Sequence, residues 1–483
     1  MASSARRWGV LLVASTVWVG CVADSPQTTD GGSDASTCEG GGAVCGGACV
    51  DTRSDPRNCG GCGKACGAGA CYGGACDGAK VIDFAAGGEA ACAVLGAGEV
   101  WCWGNAIYAQ EGTTDKTGAD TCAVQNGVGF PCRTRPYRVP WLSDAVQVAV
   151  GGGHACARRR AGEVVCWGRN EFGETGHAPT TDPSCKGIAC TNGPTPVTGL
   201  PAIGGGLSVG AGVSCAWNDG GPAWCWGDNQ CGSLGVGAIG GSLSGAQQVV
   251  GVSSVRALRV ASQGEGVCAI ETGGVVKCWG PNPLGAAGHD PAGDKTCAID
   301  ARPASGTPTP VADAGGPLTN AAALAVSEQA ACALLADGAV VCWGTDANGV
   351  APSPAGFTRK PVALPQPGVA IDASYGSVHV MSATGRVFGW GLNIFGELNG
   401  NAGTGDGMLC GGQPCWHTPV EMPSALAVAL RRGIGSVLVQ RADGKLWGWG
   451  RGTSGELGVP PSTLPACGSL RCAPSPVAVL GLP

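Results

Sequence analysis

The chain has 483 residues, of which only 13% are charged, and it holds 88 Gly, 15 Trp and 29 Cys with a formal net charge of -6. That acidic balance excludes an electrostatic footprint for nucleic acid or an anionic membrane surface, and so much glycine excludes a mainly helical protein. Twenty-nine cysteines against five His read as disulfides made outside the reducing cytosol rather than as metal sites.

In chain order, Arg6 and Arg7 precede an apolar run from Trp8 to Val19. The run is too short to span a bilayer and has the length of a signal-peptide core. The segment Val17-Trp18-Val19-Gly20-Cys21 resembles a bacterial lipobox, although Trp18 stands where Leu is usual. The resemblance implies a signal peptide over residues 1–20, cleavage before Cys21 and a lipid on that cysteine. Parity agrees, because 28 cysteines, an even number, remain without Cys21. Residues 22–37 are small and polar without apolar periodicity, so 21–37 reads as a lipidated cysteine with a flexible linker. Fully extended, the linker reaches roughly 50 Å.

Residues 38–79 hold Cys38, Cys45, Cys49, Cys59, Cys62, Cys66, Cys71 and Cys76 with almost no aliphatic core, so only cross-links can hold the segment together. Its run from Cys45 to Cys66 resembles the small cysteine-rich repeats related to plant stigma-specific proteins, which also occur beside lipoprotein signals in myxobacteria. The resemblance implies a bacterial, myxobacterial origin. Cys59-Gly-Gly-Cys62 has the form of a redox or zinc pair. A redox pair lacks its strand-to-helix context here, and zinc would have to outcompete oxidation in an exported protein. Four structural disulfides are expected, with connectivity left open.

From residue 80 onward one phrase recurs. Trp103, Trp167, Trp226, Trp279, Trp343, Trp390 and Trp449 are each followed by Gly, at separations of 64, 59, 53, 64, 47 and 59 residues. Each copy has an apolar strand, a Cys-bearing strand, a tight turn, a strand ending in Trp-Gly, a variable loop and a Pro-Val segment. Four short strands in each of seven units predict an all-β fold, a seven-bladed β-propeller over residues 80–483 preceded by a small disulfide-rich module. The last copy ends at Pro483, while Val81-Ile-Asp-Phe-Ala-Ala-Gly stands alone at the front. A ring whose seventh blade borrows that N-terminal strand would leave no open sheet edge.

The phrases G-G-G-H-A-C-A, C-W-G-R-N-E-F-G-E-T-G and W-G-W-G-R-G-T-S-G-E-L-G resemble the repeats of the regulator of chromosome condensation family over about 400 residues. The resemblance implies the seven-bladed propeller and says less about activity. Eukaryotic members include a nuclear exchange factor for a small GTPase that also binds chromatin, a role that export and net acidity oppose here. Bacterial secreted members include an inhibitor of β-lactamases, a precedent for binding a protein on one face.

Five copies carry Cys one and eleven residues before the Trp: Cys92 with Cys102, Cys156 with Cys166, Cys215 with Cys225, Cys268 with Cys278, and Cys332 with Cys342. The other two copies have His379 with Gly389 and Leu438 with Gly448, so both cysteines are kept or both lost, as a bond requires. Facing each other across a hairpin, they should have Cα atoms roughly 4.5 to 5.5 Å apart. Cys122 with Cys132, Cys185 with Cys190, Cys410 with Cys415 and Cys467 with Cys472 share one offset after their Trp and should staple loops on a common face. Cys231 and Cys297 remain and are expected to join the third and fourth blades.

No catalytic or cofactor motif stands out. The five His (His154, His177, His289, His379, His417) have no metal-ligand spacing, and His154 reads as structural. Gly206-Leu-Ser-Val-Gly210 matches a nucleophile-elbow pattern but lies in an apolar strand with no helix after it. The Gly-rich 400–407 segment follows no parallel strand and opens no helix. The candidate binding face is therefore the bulky and polar residues on the stapled loops: Phe130, Arg133, Arg135, Tyr137, Met408, Trp416, His417 and Arg471. The expected protein is an exported monomeric lipoprotein of the outer membrane or cell surface, without cofactor, that binds a protein or glycan. The alternatives are an exported propeller enzyme acting on polysaccharide, or a secreted enzyme inhibitor.

Overall fold

The computed structural model describes residues 43–482 apart from 53, 54, 56, 66–70, 73, 74, 77–79, 124–128, 263, 264, 346, 353, 355, 399 and 423–425. The signal peptide, Cys21 and the linker lie outside the described residues, as do Cys38 and Cys66. In the cysteine-rich segment, Ala43–Cys45 pairs with Ala48–Val50, Cys45 is bonded to Cys62, and Cys49 and Cys59 are also in disulfides.

Within residues 81–478, seven antiparallel sheets of four or five strands each form one blade of a ring, and a separate two-stranded piece pairs Ala312–Asp313 with Gly316–Pro317. The second blade shows the plan: Ala145–Val150 is the inner strand, followed outward by His154–Arg159, Val164–Arg169 and Ile188–Pro196. The inner strands of the other blades are Val81–Gly87, Gly206–Val209, Val255–Val260, Ala321–Val326, Gly368–Ser374 and Ala427–Gly433. Each packs on the next, and Ala427–Gly433 packs back on Val81–Gly87. Five blades add a short fifth strand beyond the four expected, as Asp120–Ala123, Ser184–Cys185, Lys295–Thr296, Leu409–Cys410 or Ala466–Cys467 folds back on its outer strand.

The core lies between blades rather than within them. One buried cluster joins Val94, Val100 and Val139 of the first blade to Val148, Val165 and Trp167 of the second. All seven repeat Trp side chains are under 2% exposed. A buried indole N–H needs an acceptor, and each of the seven donates to a backbone carbonyl in a loop of the preceding blade. The acceptors are Glu456 for Trp103, Gln110 for Trp167, Glu174 for Trp226, Ser233 for Trp279, Ala286 for Trp343, Val350 for Trp390 and Glu397 for Trp449, at 2.8 to 3.2 Å. The Gly that follows has φ between 85° and 105° in all seven copies. At Gly168 a Cβ would also lie 2.7 Å from the Gly153 carbonyl oxygen. Trp is thus the inter-blade bolt, and Gly is the residue that lets the strand turn beside it.

The seam corrects one expectation. Val81–Gly87 pairs with Ala90–Leu95 of its own blade, and the final strand Leu470–Ala478 pairs with Leu446–Arg451, so no strand is exchanged between the ends. Pairing across the two-residue link after Gly87 closes a far shorter loop than pairing with the distant C-terminal strand. Hydrogen bonds close the ring instead. Trp103 reaches Glu456, the Ile434 N–H donates to the Gly88 carbonyl at 2.9 Å, Gln440 Nε2 donates to the Val81 carbonyl at 2.9 Å, and Ser454 Oγ donates to Glu89 at 2.8 Å.

The five hairpin cysteine pairs are bonded across directly opposed residues, as in Cys156 opposite Cys166. Their Cα atoms are 4.0 to 4.1 Å apart, closer than the expected range. The Arg159 N–H donates to the Glu163 carbonyl, so alternation along the ladder leaves Cys156 and Cys166 as a non-hydrogen-bonded pair, the closer of the two kinds.

Candidate binding face

Because strands alternate in direction, two sets of connections emerge on one face of the ring: the turns after inner strands and the loops after Trp-Gly. The loops are where the remaining disulfides sit. Cys122 is bonded to Cys132, Cys185 to Cys190, Cys410 to Cys415 and Cys467 to Cys472, with Cα separations of 5.8 to 5.9 Å, and Cys231 is bonded to Cys297 across the third and fourth blades. A second device braces the loop bases. Asn170, Asn229, Asn282 and Asn393, each three residues after its Trp, are buried, and each Oδ1 accepts a backbone N–H five residues on. In two loops an added His-Asp pair completes the brace: His177 Nε2 meets Asp182, and His289 Nε2 meets Asp294, both at 3.0 Å. These His are loop struts.

The eight candidate residues fall on three consecutive blades. Phe130, Arg133, Arg135 and Tyr137 belong to the first, Met408, Trp416 and His417 to the sixth, and Arg471 to the seventh, which the closed ring places between them. Two are buried beneath their own loop, and a third, Trp416, is half-buried. Phe130 is buried against Ile107, Cys122 and Cys132 beneath its own loop. Arg133 is buried too, stacked 4.2 Å from the Tyr137 ring centre and hydrogen-bonded to the Thr117 and Asp115 carbonyls. Trp416 packs on the cluster around Leu398 and Met422. Short stapled loops fold their large side chains inward, because a loop this size has no other core.

Arg135, Met408, His417 and Arg471 are exposed and Tyr137 is partly so. Two clefts flank the seventh blade's loop. One, of about 450 Å³, lies against Asp120, Arg135, Tyr137 and Pro460; the other, of about 740 Å³, lies between Phe395, Asn401 and Thr404 on one side and Pro465, Cys467 and Pro474 on the other. Residues absent from the candidate set also stand out on this face: Leu284 (61% exposed), Ile299 (68%) and Leu409 (65%), beside Met408 (58%). Leu284 has φ 52°, an uncommon conformation for a side chain with a Cβ, and it holds its side chain outward. Their signal in the sequence is an apolar residue inside a loop that has no periodicity. On the opposite face Trp141, with φ 58°, is 86% exposed.

The axial channel is lined mostly by small residues and encloses a cavity of about 110 Å³ among Asp83, Ser208, Arg259, Asp372 and Arg431. Its polar groups serve neighbouring blades. Asp83 accepts the Val148 N–H at 2.9 Å, Ser208 Oγ accepts the Val260 N–H at 3.0 Å, and Asp372 accepts the Arg432 N–H at 3.1 Å. Ser208 is therefore an inter-blade link rather than a nucleophile. His154 is fully buried with Nε2 2.7 Å from Ser214 Oγ, and burial lowers its pKa to about 3. His379 donates from Nε2 to the Glu397 carbonyl at 2.9 Å. The 400–407 segment is held by Asn393 Nδ2, which donates to the Asn401 and Thr404 carbonyls.

With this geometry in place, the comparisons with known proteins are specific about architecture. The regulator of chromosome condensation (RCC1) repeat pattern matches residues 145–174. The ultraviolet-B receptor UVR8 of Arabidopsis thaliana is 26% identical over 393 residues, 79% of each chain. The human WBSCR16 structure superposes with TM-score 0.61 at 18% identity, over 79% of this chain and 95% of that one. The Prp20p structure from Saccharomyces cerevisiae, described with its binding properties to Gsp1p and histones, superposes with TM-score 0.59 at 18% identity, over 79% and 86%. At these identities the solved structures share a fold with this chain.

Proposed function

From the premise that this chain is a seven-bladed propeller bearing the regulator of chromosome condensation repeat, we propose that it is an exported, lipid-anchored scaffold that binds a protein through its stapled-loop face. One observation carries the reading. Four apolar side chains, Leu284, Ile299, Met408 and Leu409, stand exposed on loops of a single face whose bases are clamped by disulfides and buried Asn side chains. Exposed apolar groups on loops that cannot relax lose little entropy on association, which is how a recognition surface gains affinity. Prp20p, on the same fold, is a protein binder by its published description. The abundance of disulfides and the first 21 residues support export and the anchor at Cys21.

Two results are expected. Full-length protein extracted from cells captures a partner, and capture falls about tenfold or more when Met408→Asp, Leu409→Asp and Arg471→Ala are combined. Trp141→Ala on the opposite face leaves capture unchanged. Quantitative mass spectrometry of the captured material decides it, and equal capture by the loop-face variant removes the assignment. Separately, Cys21→Ser moves the protein from the membrane fraction to the soluble exported fraction in cell fractionation. Retention in the membrane fraction refutes the lipid anchor.

A further inference from the structure

Of the four loops stapled within one blade, the sixth blade's differs in having an imidazole over its sulfurs. His417 Nε2 lies 3.5 Å from Cys410 Sγ and 3.9 Å from Cys415 Sγ. The other face of the ring is fixed by Asp406, whose Oδ2 is 3.0 Å from His417 Nδ1 and also accepts the His417 backbone N–H at 2.9 Å. Asp406 thus engages Nδ1 and leaves Nε2 beside Cys410 Sγ, the carboxylate-histidine arrangement that orients metal-ligating His, while Cys415 Sγ is 3.9 Å from either ring nitrogen. In the loop of Cys185 and Cys190 the matching position is Asn192, and after Cys467 and Cys472 it is Pro474. The other cysteine pair with a nearby carboxylate, Cys231 and Cys297 with Asp300, has no imidazole, and its Asp300 is engaged by Arg302 Nε at 2.7 Å.

We infer that opening the Cys410–Cys415 disulfide creates a two-thiolate, one-imidazole site for Zn²⁺ or a similar soft divalent cation on the binding face. Zinc bonds of about 2.3 Å to sulfur and about 2.0 Å to nitrogen in a tetrahedron place S and N roughly 3.6 Å apart. The sulfur-to-Nε2 distances of 3.5 and 3.9 Å lie within a few tenths of an ångström of this, so the site forms when the two sulfurs separate and the ring turns Nε2 toward Cys415, whose Sγ is also 3.9 Å from Nδ1. Both cysteines are buried, and a Cβ at Gly349 of the neighbouring blade would lie 2.7 Å from Cys410 Sγ, so the sulfurs are walled on the inside. The His417 side chain is 34% exposed, which leaves the fourth position to water. The electrons balance with a dithiol or phosphine reductant. A dithiol gives two electrons to the disulfide and leaves as its own disulfide, and a phosphine with one water leaves as phosphine oxide. Either yields two thiols, and the cation binds as both protons depart. The site is a redox-gated one: the disulfide holds the loop when oxidised and the metal holds it when reduced.

The test uses the full chain, a water-soluble phosphine and Co²⁺. Phosphine is raised until alkylation and peptide mass spectrometry show Cys410 and Cys415 open, while the near-ultraviolet circular dichroism of the buried Trp shows the propeller folded. One equivalent of Co²⁺ should then give a tetrahedral thiolate spectrum, and Zn²⁺ should displace it. Asp406→Asn should weaken binding about 10- to 100-fold, and His417→Ala should weaken it more while leaving the oxidised protein's melting temperature unchanged. The inference is overturned if His417→Ala binds as tightly as wild type, or if Cys410→Ser with Cys415→Ser keeps the spectrum. It is equally overturned if the oxidised protein binds equally well, or if the propeller signal collapses before these two thiols open.

Discussion

Trp103→Ala lowers the unfolding free energy by about 3 to 5 kcal/mol and loosens the two blades that meet at the seam. The side chain is buried among Val81, Phe84 and Ala93 of the first blade and Leu438 and Leu446 of the seventh. Its Nε1 donates at 2.9 Å to the carbonyl of Glu456, 353 residues away in sequence. Every other blade boundary is also spanned by continuous chain; this one is held by non-covalent contacts, and no disulfide between described residues crosses it. Trp103→Phe separates the two contributions. Phenylalanine refills most of the volume but leaves the buried Glu456 carbonyl without its donor, a loss of about 1 to 3 kcal/mol. Guanidinium unfolding measures both. Hydrogen exchange adds the spatial readout, since Ala90–Leu95 and Leu446–Arg451 should exchange faster in Trp103→Ala while Val267–Glu271, across the ring, stays protected. A loss below about 1 kcal/mol, or uniform acceleration around the ring, refutes the account of the seam.

The same Trp explains how far the chain could be read before folding. Its position recurs because each copy needs a large flat side chain with one donor, followed by a Gly that can take positive φ, and both requirements are local. The acceptor is not. It is a backbone carbonyl of the preceding copy, at a constant place after that copy's own Trp but carried by Glu, Gln, Ser, Ala or Val, so no residue type marks it. Its distance from the Trp that donates to it varies with loop length, from 57 residues at Trp167 to 40 at Trp390. The hairpin disulfides were legible for the local reason, since their partners are fixed by one turn. The seam is not legible in the same way, because the apolar strand that follows each Pro-Val segment reads equally well as the end of one copy or the start of the next, and only its pairing with Ala90–Leu95 assigns Val81–Gly87 to the first blade. At the candidate face, residue type pointed to Phe130, Arg133 and Trp416, yet these types are also what a short stapled loop uses to pack against its own blade. Exposure depends on which way the loop folds, and composition carries no record of that.

A second expected result concerns three carboxyls buried at the blade boundaries: stability falls between about pH 4.5 and 7, and replacing Glu174, Glu397 and Glu456 by Gln removes that fall. Burial pushes each of the three pKa values up to about 7 from an ordinary 4.5. Each accepts the N–H of the residue two before it, from Phe172, Phe395 and Ser454, at 2.6 to 2.7 Å. In the first blade Gln110 takes the Tyr108 N–H at 2.8 Å in the same arrangement, so the fold already accommodates an amide there. A carboxyl with a raised pKa binds more protons in the folded state than in the unfolded one across this window. Its contribution is therefore fully present below pH 4.5 and lost as pH rises through 7. The rise, which already includes the opposing pull of Arg169, Arg432 and Arg451 beside the three carboxyls, corresponds to roughly 3 kcal/mol for each group. Buried His154, with its pKa lowered to about 3, acts in the opposite sense below pH 6.5, so the difference between triple variant and wild type is the quantity to measure. That difference should grow from pH 4.5 to 7 in the variant's favour and level off above. Unfolding curves at pH 5 and pH 8 that stay parallel for the two proteins would mean that these carboxyls are ionised in the fold, held by the three arginines as ion pairs.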